Sequence, residues 1–119
     1  DVVLRAVTQF LSAALRGMDT IARYDGDRFA LVLANTEIEP AMQIAERIRA
    51  AIGVCKLRVG ETEIRFTIST GVAQGLLADD SESLVRRTTS TLHYAKQAGR
   101  NRTYFHNGQQ PEAAEVSLA

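Results

Sequence analysis

The sequence predicts an α+β domain, a mostly antiparallel sheet with amphipathic helices packed on it. Three observations carry this. Apolar residues recur at helical spacing over three stretches. Between them lie short runs rich in β-branched and aromatic residues, bounded by glycine or aspartate turns. The segments interleave in the order α-ββ-α-ββ-α-β, the pattern of one sheet with helices on it.

The first helix is expected over residues 1–16. Val3, Val7, Phe10, Leu11 and Ala14 share one face, and Asp1 suits the N-cap. Asp1 stands directly ahead of that pattern, as expected of a piece of a longer chain. Residues 20–24 (TIARY) and 28–34 (RFALVLA) read as a hairpin around Asp25-Gly26-Asp27, with positive φ expected at Gly26. Residues 37–52 set Ala41, Ile44, Ala45, Ile48 and Ile52 on one stripe of a second helix. Pro40 fits its first turn and Gly53 its end. Residues 56–59 and 63–73 read as strands joined through Gly60-Glu61. Asp79, Asp80 and Ser81 open a third helix, expected to turn Leu84, Val85, Leu92 and Ala95 inward and to stop at Gly99. Residues 102–105 make a last short strand. The domain is expected to span 1–106, with 107–119 a polar tail or linker.

The 119 residues suffice for one domain with a single core. Lys+Arg and Asp+Glu number 14 each, so the zero net charge gives no electrostatic case for DNA, RNA or a membrane surface. A single cysteine, Cys55, excludes an internal disulfide and a thiolate zinc cluster, and it is expected to serve as a small, partly buried hydrophobe. No apolar run approaches the roughly 20 residues of a spanning helix, and residues 1–16 do not have the form of a signal peptide. A cytoplasmic setting is expected, which a membrane-anchored parent chain would also provide.

"RYDGDRFALVL", residues 23–33, resembles the signature hairpin of GGDEF domains, the diguanylate cyclase family, whose usual form is Arg-Tyr-Gly-Gly-Asp/Glu-Glu-Phe before an apolar strand. "AMQIAERIRAAI" is similar to the family's next helix, "FTISTGVA" to its Ser-Ile-Gly-Val-Ala strand, and "LHYAKQAGRN" to its closing Leu-Tyr-x-Ala-Lys-x-x-Gly-Arg-Asn. The four segments stand in the family's order and cover residues 1 to about 106. The resemblance implies the palm-like, ferredoxin-like sheet of nucleotidyl cyclases. It also implies synthesis of cyclic di-GMP from two GTP molecules, one held by each half of a homodimer. That chemistry uses magnesium, held by carboxylate oxygens, to offset triphosphate charge while a 3′-hydroxyl attacks the α-phosphate.

The turn departs from the family pattern. Asp25 replaces the first glycine, Gly26 keeps the second, Asp27 keeps the first acid, Arg28 replaces the glutamate and Phe29 keeps the last position. Asp27 is then the residual metal and catalytic carboxylate. Two unit charges about 4 Å apart interact by at most about 4 kcal/mol at an effective dielectric of about 20, and Arg28 reverses the sign of that term toward a divalent ion. Asp25 adds a side chain and a negative charge where the family's backbone approaches phosphate. The resemblance further implies that the strand bearing the other metal aspartate and a guanine-contacting asparagine precedes residue 1, so that this stretch alone would not complete an active site. Asp1 matches the family's guanine-binding aspartate. With Gly26 and the triphosphate contacts Lys96 and Arg100 it makes the substrate-binding set. Lys96 and Arg100 stand one turn apart, suited to one helix face. Cations there are also favoured by the helix dipole alone.

"RGMD", Arg16–Asp19, lies five residues ahead of Asp25 and resembles the family's Arg-x-x-Asp inhibitory site for a stacked cyclic di-GMP dimer. Arg16 would contact phosphate and guanine edges, Asp19 would accept from guanine nitrogens, and Arg47 would be the partner arginine. Without the resemblance, the same residues read as a helix-end arginine and a capping aspartate. Thr88 and Thr89 stand where the family has Ala-Asp, and His93, expected to pack, stands where it has tyrosine. Arg23 and Tyr24 are read as structural, and His106 carries no assignment. The expected function is a catalytically inactive GGDEF domain that binds cyclic di-GMP and regulates neighbouring sensory or phosphodiesterase domains. The alternatives are a weak diguanylate cyclase and a GTP-sensing or dimerisation module. Magnesium is expected only with GTP.

Overall fold

The computed structural model describes residues 2–15, 20–25, 28–33 and 35–115, with the backbone alone over 21–25. Helix α1 (Val2–Ala14) buries Ala6, Val7 and Leu11, while Ala14, expected inward, is exposed. Strands β1 (Thr20–Asp25) and β2 (Arg28–Val32) form the expected antiparallel hairpin, with a register shift between Arg23 and Asp25. The expected positive φ at Gly26 and the N-cap at Asp1 lie outside the described residues. Helix α2 (Ile38–Val54) runs through Gly53 instead of stopping there. Its C-cap Cys55 is extended, at φ −76°, and donates its N–H to the Ile52 carbonyl. The chain leaves straight into a strand, so no left-handed glycine is needed. Cys55 is partly buried, as expected.

Strands β3 (Leu57–Val59) and β4 (Thr62–Ile64) pair as a small hairpin, turned by Gly60 at φ +63°. The single strand expected over 63–73 divides into β4 and β5 (Thr70–Val72). Phe66 and Ile68 keep the alternation between the two and pack on the core without joining a ladder. Helix α3 (Ser81–Gln97) is followed by β6 (Thr103–His106) and β7 (Pro111–Ala113). The last strand falls within the stretch read as a tail. Asn107 reverses the chain there: its Oδ1 accepts from the N–H groups of Gln109 and Gln110, and its Nδ2 donates to Glu112 Oε2 at 2.8 Å. Pro111 then opens a strand at the sheet edge, where a missing donor is tolerated.

Among the described residues the strands form three small sheets, β1-β2, β3-β4 and β5-β6-β7. Among the described strands, β5 and β6 pair in parallel and the other pairs are antiparallel. The β1-β2 hairpin joins the rest through side chains. Phe29 and Leu31 alternate inward and pack, with Phe10, Ile44, Phe66 and Ile68, against Val7, Leu11, Ile48 and Ile52.

The β5-β6 pair is covered on both faces. Thr70 and Thr103 are register partners whose hydroxyls hydrogen-bond each other, on the side where Thr103 helps to lower the Glu46 carboxyl of α2. Gly71 and Tyr104, the next pair, point the other way. Tyr104 stacks on Tyr94 of α3 at 6.4 Å between centroids. A Cβ on Gly71 would fall 2.7 Å from Leu92 Cα and closer still to its backbone nitrogen. α2 therefore lies on one face and α3 presses against the other. α3 buries Thr91 and Ala95 completely, whereas Val85, expected inward, is exposed. Thr88 and Thr91 return their hydroxyls to the carbonyls of Leu84 and Arg87, both at 2.8 Å, which is how two threonines sit in a helix interior. His93, expected to pack, is exposed.

The N-terminus of α3 is fixed twice. Asp80 and Ser83 make a reciprocal capping box. Asp79 takes a two-pronged hydrogen bond from Arg87, accepts from Ser83 Oγ at 2.8 Å and from the Leu76 N–H at 2.8 Å, and Arg87 also donates to the Gln74 carbonyl. These contacts hold the Asp79 carboxyl well below the usual aspartate range, Arg87 contributing most.

Two predictions test this packing. Gly71→Ala should lower stability by about 1–3 kcal/mol in urea denaturation because helix backbone, unlike a side chain, cannot step aside. Gly75→Ala should be nearly neutral, since its Cβ would meet only Leu84 Cδ2 at 3.6 Å. For Asp79 the folded pKa is depressed, so its stabilisation is present above the unfolded value of 3.8 and is lost as pH falls below it. The stability gap between the parent and Asp79→Asn should stay level from about pH 7 to about pH 5 and shrink below about pH 4.

Candidate functional site

The described part of the site is built around the turn from α3 to β6. α3 ends at Gln97, and three successive residues then adopt positive φ: Gly99 at 128°, Arg100 at 63° and Asn101 at 49°. Lys96 is half-buried in the last turn of the helix, while Arg100 is exposed beyond it. The expectation that the two share a helix face is therefore corrected. The left-handed run turns the chain away one residue after the C-cap, so Arg100 belongs to the loop. Its N–H donates to the Ala95 carbonyl at 3.1 Å, and its carbonyl accepts from Arg102 Nε at 3.1 Å. Its guanidinium has no hydrogen bond or ion pair among the described residues.

A polar seam anchors this loop to α2. Glu46 is buried, and Arg49, one turn on, grips it through Nε at 2.6 Å and Nη2 at 3.0 Å. The free edge of Arg49 reaches across the fold: Nη1 donates to Asn101 Oδ1 at 2.8 Å and to its carbonyl at 3.4 Å. The Asn101 N–H donates to Ser69 Oγ just ahead of β5. Arg49 and then Thr103 hold the Glu46 carboxyl below the ordinary glutamate range against the opposing effect of burial, and Glu46 raises Arg49 in return.

Glu46, Arg49 and Ser69 were not singled out from the sequence. The available signal was the Glu46/Arg49 spacing of three on α2, beside the apolar stripe. Asn101 closes the "LHYAKQAGRN" segment, where sequence reading used it only as a family mark. Arg47, next to Glu46, is exposed on α2 with no hydrogen bond or ion pair among the described residues. Asp1, Arg16, Asp19, Gly26 and Asp27 lie outside the described residues. Arg28 opens β2, half-buried, as the register partner of Asp25.

The donor set was tested for a divalent ion. Among the described residues, no group of three or more His, Cys, Asp or Glu side chains is placed to hold a metal. At the hairpin the sequence offers Asp27 beside the guanidinium-bearing Arg28, a poor donor pair for magnesium. No described helix is long and apolar enough to cross a membrane.

The family model for "Diguanylate cyclase, GGDEF domain" matches residues 1–102. Diguanylate cyclase A of Treponema denticola is 35% identical over 114 residues, 95% of this chain and 31% of that protein. Diguanylate cyclase DgcP of Pseudomonas aeruginosa is 34% identical over 102 residues, 86% of this chain and 15% of that protein. The chain thus spans less than a third of either relative. Among solved structures, the GGDEF domain of DgcB from Caulobacter crescentus in complex with c-di-GMP aligns with a TM-score of 0.80 at 22% identity, covering 87% of this chain and 62% of that one. An EAL/GGDEF domain protein from M. capsulatus aligns with a TM-score of 0.71 at 26% identity, covering 88% and 68%.

Proposed function

This chain belongs to the diguanylate cyclase GGDEF domain family, and within it we propose a catalytically inactive member that binds cyclic di-GMP and regulates neighbouring domains. The observation that carries the reading is Arg28. Phe29 packs on the core, which fixes the register of β2. Arg28 therefore falls on the opposite side of the strand, in the place of the family's glutamate. A guanidinium there repels a divalent cation that a carboxylate would attract. Asp27 remains as the single residual metal carboxylate of the signature, and magnesium would arrive only with GTP.

Binding of cyclic di-GMP is assigned to Arg16, Asp19 and Arg47. Support comes from their spacing relative to the hairpin and from Arg47, whose exposed guanidinium is uncommitted among the described residues. A neighbour of the same fold is described in complex with c-di-GMP. Another is described as an EAL/GGDEF domain protein, a pairing that fits regulation of a phosphodiesterase or sensory domain joined to this one. The domain, residues 1–106 with the following strand as an appendage, would act as a cytoplasmic homodimer.

A second reading is favoured by Arg100. Its guanidinium is exposed and unpartnered among the described residues on a loop held from several sides, the arrangement expected of a phosphate contact. With Lys96, and with Asp1 and Gly26 at the base and backbone, it would hold GTP without turnover.

Calorimetric titration with cyclic di-GMP should give micromolar or tighter binding, weakened at least about tenfold by Arg16→Ala and by Arg47→Ala. The full-length protein with GTP and magnesium should yield no cyclic di-GMP. Product formation would overturn the inactive reading, and titration without heat would overturn the receptor reading.

A further inference from the structure

We propose that Arg49 is the positioning residue for Arg100, setting the loop that carries it from the far side of the sheet. The proposal rests on reading Arg100 as a triphosphate contact. Arg100 holds left-handed backbone that a residue with a Cβ resists, beside Asn101, of a type that adopts it more readily, so it is at Arg100 that the surroundings must impose the turn. The N–H of Arg100 to Ala95, its carbonyl to Arg102, and the N–H of Asn101 to Ser69 supply part of that constraint. All three come from the loop's own helix, its own continuation or the segment before β5. Arg49 is the contribution from α2, 52 residues away along the chain.

Its chemistry suits the task. A guanidinium is a planar fork with donors on two edges. Glu46 occupies Nε and Nη2, which fixes the plane. Nη1 is left aimed at both acceptors of Asn101, the side-chain oxygen at 2.8 Å and the carbonyl at 3.4 Å. Arg49 is thus committed to protein partners, while Arg100, one residue from the clamped Asn101, keeps its guanidinium for a ligand. A lysine at 49 would keep the charge and answer Glu46. It would lack the fixed two-edged geometry that serves Glu46 and Asn101 together.

The test is performed on the full-length protein with a non-hydrolysable GTP analogue and magnesium. Arg49→Lys and Asn101→Ala should each weaken binding about tenfold. The double variant should be no weaker than either single one, because both break the same contact. Arg100→Ala should weaken binding at least as much, and adding Arg49→Lys to it should cost nothing further. Amide hydrogen exchange at residues 100 and 101 should speed up in Arg49→Lys while the interior of α3 stays protected, a change that general destabilisation would not confine to the loop. If Arg100→Ala weakens binding but Arg49→Lys leaves it unchanged, the positioning role is refuted and the triphosphate reading stands. If the parent does not bind the analogue, or Arg100→Ala has no effect, the triphosphate reading falls and the positioning role with it.

Discussion

Glu46 is a carboxylate taken out of water between α2 and β6, and a charge in that place must be answered by donors. Arg49 supplies two, and the nearby Thr103, whose hydroxyl bonds Thr70, favours the charged form further. One buried charge thereby ties a helix to two parallel strands. Such a pair is weak evidence for stability, because apolar side chains of similar volume often serve a core as well or better. What apolar residues do not supply is direction. The Arg49 fork is held in one plane by Glu46, and its remaining edge defines where Asn101 sits. The turn from α3 into β6 inherits its geometry from that plane.

The opposite face of the same strands is governed by the absence of a side chain. Gly71 lets the α3 backbone approach where any Cβ would intrude, so the helix sits flush on β5. The consequence reaches the loop. The helix ends at Gln97 and β6 begins at Thr103, so the chain must reverse within a few residues, which the left-handed run at 99–101 accomplishes. Gly71 on one face and Glu46 with Arg49 on the other thus constrain the same turn from two sides.

The three helices were legible because each has an apolar stripe at the helical period, and the hairpins because their turns carry Asp-Gly or Gly-Glu between β-rich runs. The sequence was less informative where tertiary contacts override local pattern. Gly53 looks like a helix stop, yet α2 continues through it into an extended Cys55. Residues 63–73 alternate without interruption, but alternation reports which side is buried and not whether a neighbour strand pairs, so Phe66 and Ile68 pack outside any ladder. Residues 111–113 look polar and carry a proline, yet an Asx turn at Asn107 brings them to an edge. Periodicity points Val85 inward and passes over Thr91, yet Thr91 is the buried one, because a hydroxyl bonded within the helix makes threonine as buriable as alanine. Lys96, Arg100 and Arg47 are candidates by motif register alone. The seam behind them is only half local: Glu46 and Arg49 stand three apart on α2, but the contacts of Asn101 with Arg49 and with Ser69 join residues 52 and 32 apart, which no local spacing records.

The substituted turn also differs in charge from the family pattern. A signature of two glycines and two acids carries two negative charges, whereas Asp25-Gly26-Asp27-Arg28 carries one in net. The family's arrangement attracts a divalent ion, which then neutralises an incoming triphosphate. With Arg28 in place of the glutamate, the turn is less negative, so it would attract a divalent ion less and repel a triphosphate less. Such a turn would weaken the demand for metal and the means of holding it together. Nucleotide binding and nucleotide chemistry would then become separable. An arginine pairs with phosphate but supplies no metal-bound position at which a 3′-hydroxyl is activated. A domain so altered is suited to report the presence of a guanine nucleotide, and the contact of Asn101 with Arg49 is what would link the 99–101 turn to the helix that carries Arg47.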